Sequence, residues 1–291
     1  MNYSTDSECV AALVEKLGKP PLKCIYDEDG HLTSINIAGF RLPQLPSELW
    51  SFTHLRKLII SGNPIGTLPP EIAQLPNLWL LNLNRCQLEH LPPELETLHK
   101  LKALWLDFNQ LSDIHLHFEE FPMLQELLLN SNRLHDFPQA VVKCESLQHL
   151  DLGGNELEQI SPEIANLRHL EKLNLSENCL SDLPATFAQL TRLHTLYLGK
   201  NCFSYIPPAL LLLENLQNLS LDRNELQLLP AGVGRLNNLR TLNLSNNRLQ
   251  ALPGEISRLS NIQRLDLRNN NFRKPLSEIE ALHSLKAVHL A

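Results

Sequence analysis

Apolar residues recur along this chain at a spacing that neither an isolated helix nor an isolated strand explains. In Leu101-Lys-Ala-Leu-Trp-Leu-Asp-Phe-Asn109, leucine stands at 101, 104 and 106 and asparagine closes the run at 109. The alternation through 104–106 is that of a strand with one face buried. Steps of 23 residues reproduce it from Leu32, Leu55, Leu78, Leu101, Leu124, Leu147, Leu170, Leu193, Leu216, Leu239 and Ile262, with Leu285 opening a fragment. Residues 32–284 are thus 253 residues, or eleven repeats without insertion or deletion. The consensus reads L-x-x-L-x-L-x-x-N-x-L-x-x-L-P-x-x-I-x-x-L-x-x. A period of this size marks supersecondary units that bury their apolar faces only by stacking.

Each repeat position then has a predicted place. Positions 1, 4, 6, 11, 14, 18 and 21 are apolar and form one core layer per repeat, while positions 3, 5, 7 and 8 face outward from the strand. Position 9 is asparagine in nine of eleven repeats, at Asn63, Asn109, Asn132, Asn155, Asn178, Asn201, Asn224, Asn247 and Asn270. An inward amide offers donors and an acceptor to turn backbone in its own and adjacent repeats, so these residues are expected to form a structural ladder. Proline after position 14 fixes φ and cannot donate a ladder bond, so the return segments are expected to be extended or short 3₁₀ turns. Narrow return segments beside a continuous parallel sheet bend the stack, with the strands lining the inside.

Ahead of the repeats, Val10, Leu13, Val14 and Leu17 have helical spacing after a cap at Asp6 or Ser7, and Gly18 with Pro20 ends the run. Lys23–Tyr26 alternates like a strand, and Asp27-Glu-Asp-Gly30 turns it back into the first repeat strand at 32–37. Residues 1–31 are expected to cap the solenoid, and 32–291 to be the repeat domain, read as one elongated body. The fourth repeat departs from the pattern, with His115 in the proline position, and the eleventh reverses the usual Leu-Pro order at Pro275-Leu276. The strand Leu285–Leu290 before Ala291 has no recognisable cap, so it either lies at an exposed edge or is followed by further chain.

The repeat resembles the leucine-rich repeat family, in particular the 23-residue class of bacterial repeat proteins and of Ras-suppressor and Scribble-like intracellular scaffolds. The Leu-Pro pairs Leu68-Pro69, Leu91-Pro92, Leu183-Pro184, Leu229-Pro230 and Leu252-Pro253 carry that likeness. It implies an α/β leucine-rich repeat solenoid, a right-handed horseshoe with a parallel concave β-sheet, and protein binding as its mode of action.

Net charge is −7, a balance that argues against contact with nucleic-acid phosphates. No stretch is long and apolar enough for a membrane span, and the N-terminus lacks the features of a signal peptide. A cytoplasmic monomer is expected, with its six cysteines reduced, including Cys179 and Cys202 at position 10 of adjacent repeats. Asn-Leu-Ser at 174, 218 and 243 matches a glycosylation sequon but follows from the repeat's own consensus.

In-register repeats place equivalent residues about 5 Å apart, which turns the outward positions into a map. Ile59, Leu80, Trp105, Phe108 and Leu128, with Trp79 nearby, form an apolar island where the fold would otherwise present polar groups. Such patches with tryptophan anchors mark protein-binding sites. Glu126, His149 and Asp151 supply a polar rim below it, and Tyr197 leads into a polar, moderately basic C-terminal half. A flat sheet face gives Glu126, His149 and Asp151 neither a closed metal-ligand set nor a water-excluding pocket. No phosphate-binding loop, dinucleotide fingerprint, kinase signature or nucleophile motif is present, so neither catalysis nor a cofactor or metal is expected. The expected function is a non-catalytic scaffold that binds a protein on the concave face. The alternatives are a recognition or regulatory part of a kinase, Roc-type GTPase or ubiquitin ligase, or a bacterial effector delivered to host cells.

Overall fold

The computed structural model describes residues 5–273 and 276–290, so Pro275 and the terminal Ala291 lie outside the described residues. Packing divides the chain into two compact units. The first comprises Met1–Leu134 with Lys143–Leu147, and the second His135–Val142 with Gln148–Ala291.

The first unit opens with α1 (Asp6–Leu17). Its N-cap is Thr5, whose hydroxyl accepts the Glu8 N–H, in place of the expected Asp6 or Ser7. Asp6 instead turns its carboxylate to the backbone N–H of Leu32. Gly18 closes the helix in the left-handed conformation, φ 70°, which a residue without Cβ adopts at little cost. Leu13 and Cys9 are buried, and Lys16 reaches Glu48 at 2.7 Å, tying the helix to the 3₁₀ turn Ser47–Ser51.

Strand β1 (Lys23–Tyr26) pairs antiparallel with β2 (Leu32–Asn36). From there β3 (Lys57–Ile59), β4 (Leu80–Asn82), β5 (Ala103–Trp105) and β6 (Glu126–Leu128) add in parallel and in register, one per repeat. Between strands the chain returns through 3₁₀ turns at Pro70–Gln74 and Pro93–Thr97. Each begins behind a proline in extended conformation, Pro69 and Pro92, whose fixed φ presets the turn entry. The fourth repeat lacks that proline, and its turn shortens to Phe118–Glu120. Phe118 and Phe121 are fully buried there, filling the core layer.

The second unit repeats the plan with β7 (His149–Asp151), β8 (Lys172–Asn174), β9 (Thr195–Tyr197), β10 (Asn218–Ser220), β11 (Thr241–Asn243), β12 (Arg264–Asp266) and β13 (Ala287–His289), all parallel and in register. In both units the position 1, 4 and 6 leucines are removed from water, as at Leu101, Leu104 and Leu106 or Leu193, Leu196 and Leu198. On β13 the same positions open outward, with Val288 40% and Leu290 47% exposed.

The position-9 asparagines carry a repeated hydrogen-bond unit. Asn109 donates through Nδ2 to the carbonyls of Leu83 and Leu106, and its Oδ1 accepts the N–H groups of Cys86 and Leu88. Asn63, Asn132, Asn178, Asn201, Asn224, Asn247 and Asn270 make equivalent bonds, and the Asn155 amide donates to Leu152 and Gly153. A buried position-6 carbonyl such as that of Leu106 therefore receives two amide donors, one from its own repeat and one from the next. Cys86 replaces this amide with a thiol donating to Ile60 O at 3.4 Å.

Position 8 carries a second regularity that the hydrophobic pattern does not show. In all eleven repeats it is left-handed: Gly39, Gly62, Arg85, Phe108, Ser131, Gly154, Glu177, Lys200, Arg223, Asn246 and Asn269 have φ between 53° and 72°. The signal was present as glycine or asparagine at five of these positions. Arginine, phenylalanine, glutamate and lysine at others obscured it, because they hold this conformation only where the surrounding ladder imposes it.

Candidate functional site

The strands of the first unit hold side chains 3 and 5 of each repeat on one open face. Ile59, Trp105 and Leu128 stand there half-buried at position 5, in register with one another through Asn82. Trp105 is fixed by a hydrogen bond from its indole Nε1 to Glu126 Oε2 at 2.8 Å, which satisfies the ring's one polar atom and leaves its apolar body available. Trp79, just before β4, is 39% exposed, and Phe108, just after β5, is 47% exposed.

Leu80 corrects the expected island. It is only 4% exposed, so it does not stand out from the face as the alternation predicts. Strand alternation points position 3 outward, yet Ser34, Ala103 and Thr195 at the same position are also buried. Leu80 is flanked in register by Lys57 and Ala103 on strands about 4.8 Å away, so direction alone does not confer exposure.

Phe108 has a companion that strand periodicity did not predict. The Arg85 guanidinium lies 4.0 Å from its ring centroid, a cation–π distance. Asp107, beside it, accepts the Asn130 N–H at 2.8 Å and the Asn84 amide at 3.4 Å. Phe108 and Trp105 thus each have one charged side chain against them, Arg85 and Glu126.

His149, Asp151 and Tyr197 lie in the second unit. Asp151 accepts both bonds from Asn174 Nδ2, at 3.0 and 3.1 Å, and the Gly153 N–H at 2.9 Å. Its carboxylate is thus committed to strand and turn. Tyr197 is 36% exposed on β9. A surface depression of about 580 Å³ in this unit is lined by His135, Asp136, Phe137, Glu156 and Glu158, away from the strands.

Among the described residues, one group could offer a cation three ligands: Asp27, Asp29 and His31, whose donor atoms lie within 4.8 Å of one another. Asp27 Oδ1 already accepts the N–H groups of His31 at 2.9 Å and Asp29 at 3.1 Å. The bond from His31 holds this carboxyl below the usual carboxylate range. The arrangement is that of a hairpin turn closed by its own aspartate. No described helix is long and apolar enough to cross a membrane.

Comparison with known proteins gives this architecture a family. The leucine rich repeat model matches residues 53–111, 122–165, 145–203 and 214–272. A leucine-rich repeat protein of Leptospira interrogans is 30% identical over 88% of this chain and 83% of its own, with a TM-score of 0.66. Internalin C2 of Listeria monocytogenes is 26% identical over 67% of this chain and 83% of its own, TM-score 0.61. The plant peptide hormone receptor RGFR1, solved in complex with RGF2, is 26% identical over 92% of this chain but 51% of its own, TM-score 0.67. No curated protein matches the chain by sequence. Strand, buried leucine, asparagine ladder and 3₁₀ return recur with the period that the family model recognises, and this chain belongs to the leucine-rich repeat family.

Proposed function

We propose that this chain is a non-catalytic recognition module that binds a polypeptide partner on the open, concave face of the first unit's sheet. The observation that carries this reading is the group of exposed Trp79 and Phe108 with half-buried Trp105, Ile59 and Leu128. Phe108 in particular is 47% exposed and holds a left-handed backbone, φ 57°. A bulky residue in that conformation costs roughly 1–2 kcal/mol, and an exposed ring returns little of it through folding. The ladder imposes that backbone hand at position 8 of every repeat, as at Glu177 and Lys200, so what sets Phe108 apart is a large apolar ring left exposed, the kind of residue a partner uses.

The family supports binding as the mode, and one similar structure is a receptor captured with its peptide hormone. Trp105 is the central anchor, because Glu126 presets its indole and little side-chain freedom is lost on binding. Glu126 then forms the polar edge of the contact. On the second unit's own strands, His149, Asp151 and Tyr197 are polar contact residues in their own right.

The test compares wild type with Trp105→Ala/Leu128→Lys in quantitative cross-linked pull-downs from lysates of the source organism. Expected is a partner lost at least tenfold with the double variant at unchanged melting temperature. Equal recovery of every captured protein by the two forms would remove this face as the binding site.

A further inference from the structure

The charges around the apolar residues are not those of the chain as a whole. Although the net charge is −7, the first unit's sheet face is framed by cations. Arg56 and Lys102 are exposed at position 2, Lys57 is half-buried at position 3, and Arg85 is exposed at position 8. The carboxylates among them, Asp107 and Glu126, are engaged by Asn130 and Asn84 and by Trp105. Acidic residues of these repeats gather instead on the return side, at Glu71, Glu94, Glu96, Glu119 and Glu120.

None of the four cations is ion-paired among the described residues. Arg85 is also pre-positioned. With its central carbon 4.0 Å from the Phe108 ring centroid, its guanidinium has N–H donors of which a carboxylate can take two side by side. The apolar column is thus bordered by unpaired donors of one sign.

We infer that the partner segment is an acidic-hydrophobic peptide: large apolar side chains seat on Trp79, Trp105 and Leu128, and flanking carboxylates meet Arg56, Lys57, Arg85 and Lys102. This rests on the proposed binding face and adds the chemistry of its occupant. Ile59 and Leu128 are three strands apart, about 15 Å, which an extended segment crosses in roughly five residues. Two apolar anchors with carboxylates before, between and after them fit that span. A basic segment would place its cations against Arg85 and Lys57, a juxtaposition that electrostatic complementarity disfavours.

Three fluorescein-labelled twelve-residue synthetic peptides test this by anisotropy. One alternates glutamate with leucine and phenylalanine, the second replaces each glutamate by lysine, and the third replaces each apolar residue by serine. The expected result is binding of the first alone, weakened about tenfold by raising salt from 50 to 300 mM. Binding should fall at least tenfold with Lys57→Glu/Arg85→Glu and with Trp105→Ala/Leu128→Lys. Preference for the lysine peptide, equal binding of the serine peptide, or no binding of the first peptide would each overturn the inference. If the first peptide fails while pull-down partners are still lost with the Trp105→Ala/Leu128→Lys form, the face stands and only its acidic ligand falls.

Discussion

Arg85 and Phe108 occupy the same position in successive repeats, both with left-handed backbone, and the guanidinium of one covers the ring of the other at 4.0 Å. Phe108→Gly separates the terms that meet there. Relief of the left-handed backbone returns roughly 1–2 kcal/mol. Against this stand the ordering of a glycine, about 0.5–1 kcal/mol, and the lost cation–π contact, about 0.5–1 kcal/mol. The net change in unfolding free energy by urea titration is therefore expected within about 1 kcal/mol of zero, while partner affinity falls by about 2 kcal/mol. A large loss of stability would instead make Phe108 a structural residue.

The asparagine ladder separates in the opposite sense. Asn201 donates to Leu175 O at 2.9 Å and Leu198 O at 3.1 Å and accepts the Leu180 N–H at 3.0 Å, all in buried surroundings. Asn201→Ala strands these groups and is expected to cost about 1–3 kcal/mol, at or above the upper end because several are orphaned together. Cys86→Ala should cost less. Its thiol makes only long contacts to Ile60 O at 3.4 Å and Asn84 O at 3.6 Å, and the Ile65 N–H that an asparagine would accept goes to Asn63 O at 2.7 Å. Equal shifts of the two urea midpoints would argue against the amide as the source of the difference.

These two cases show where the sequence was legible. The 23-residue period without gaps fixes strand, core layer and amide position together, because a one-residue slip would expose every leucine of a layer. What it does not fix is how far an outward side chain emerges. Leu80 and Ala103 point outward by alternation and are covered by their neighbours, whereas Phe108 emerges because a left-handed residue lifts it from the strand's edge. Exposure depends on adjacent side chains and backbone hand, neither of which a hydrophobic period encodes. The Arg85–Phe108 stack was missed for the same reason, since both residues lie beyond the strand where the alternation rule ends.

The cysteines divide by burial. Burial pushes the Cys86 and Cys144 thiols up to about 11 and raises Cys9 as well, and the thiolate is the reactive form. Cys179 and Cys202 are exposed. Iodoacetamide at pH 8 should label those two in the native protein, Cys24 more slowly, and Cys9, Cys86 and Cys144 only on unfolding. Peptide mass mapping over time reads the order. Native labelling of Cys86 as fast as Cys202 would contradict the buried amide-site geometry.

The irregular fourth repeat provides a pH-dependent contact. His117 donates its backbone N–H to Glu96 Oε1 at 2.8 Å, and its Nδ1 lies 3.0 Å from the same oxygen. The side-chain bond to Glu96, reinforced by that carboxylate's charge, raises the imidazole above its ordinary range. A raised folded-state value means the contact favours the folded protein fully below the ordinary histidine range and is lost as pH rises through the higher folded value. His117 is exposed and Glu96 is partly covered, so the contribution is screened and small. The direct readout is the His117 ring-proton shift by NMR. Its midpoint is expected above that of an unpaired histidine in wild type and back toward the ordinary range in Glu96→Gln, which keeps an acceptor but removes the charge. An unmoved midpoint in that variant would mean that Glu96 does not set the protonation of His117.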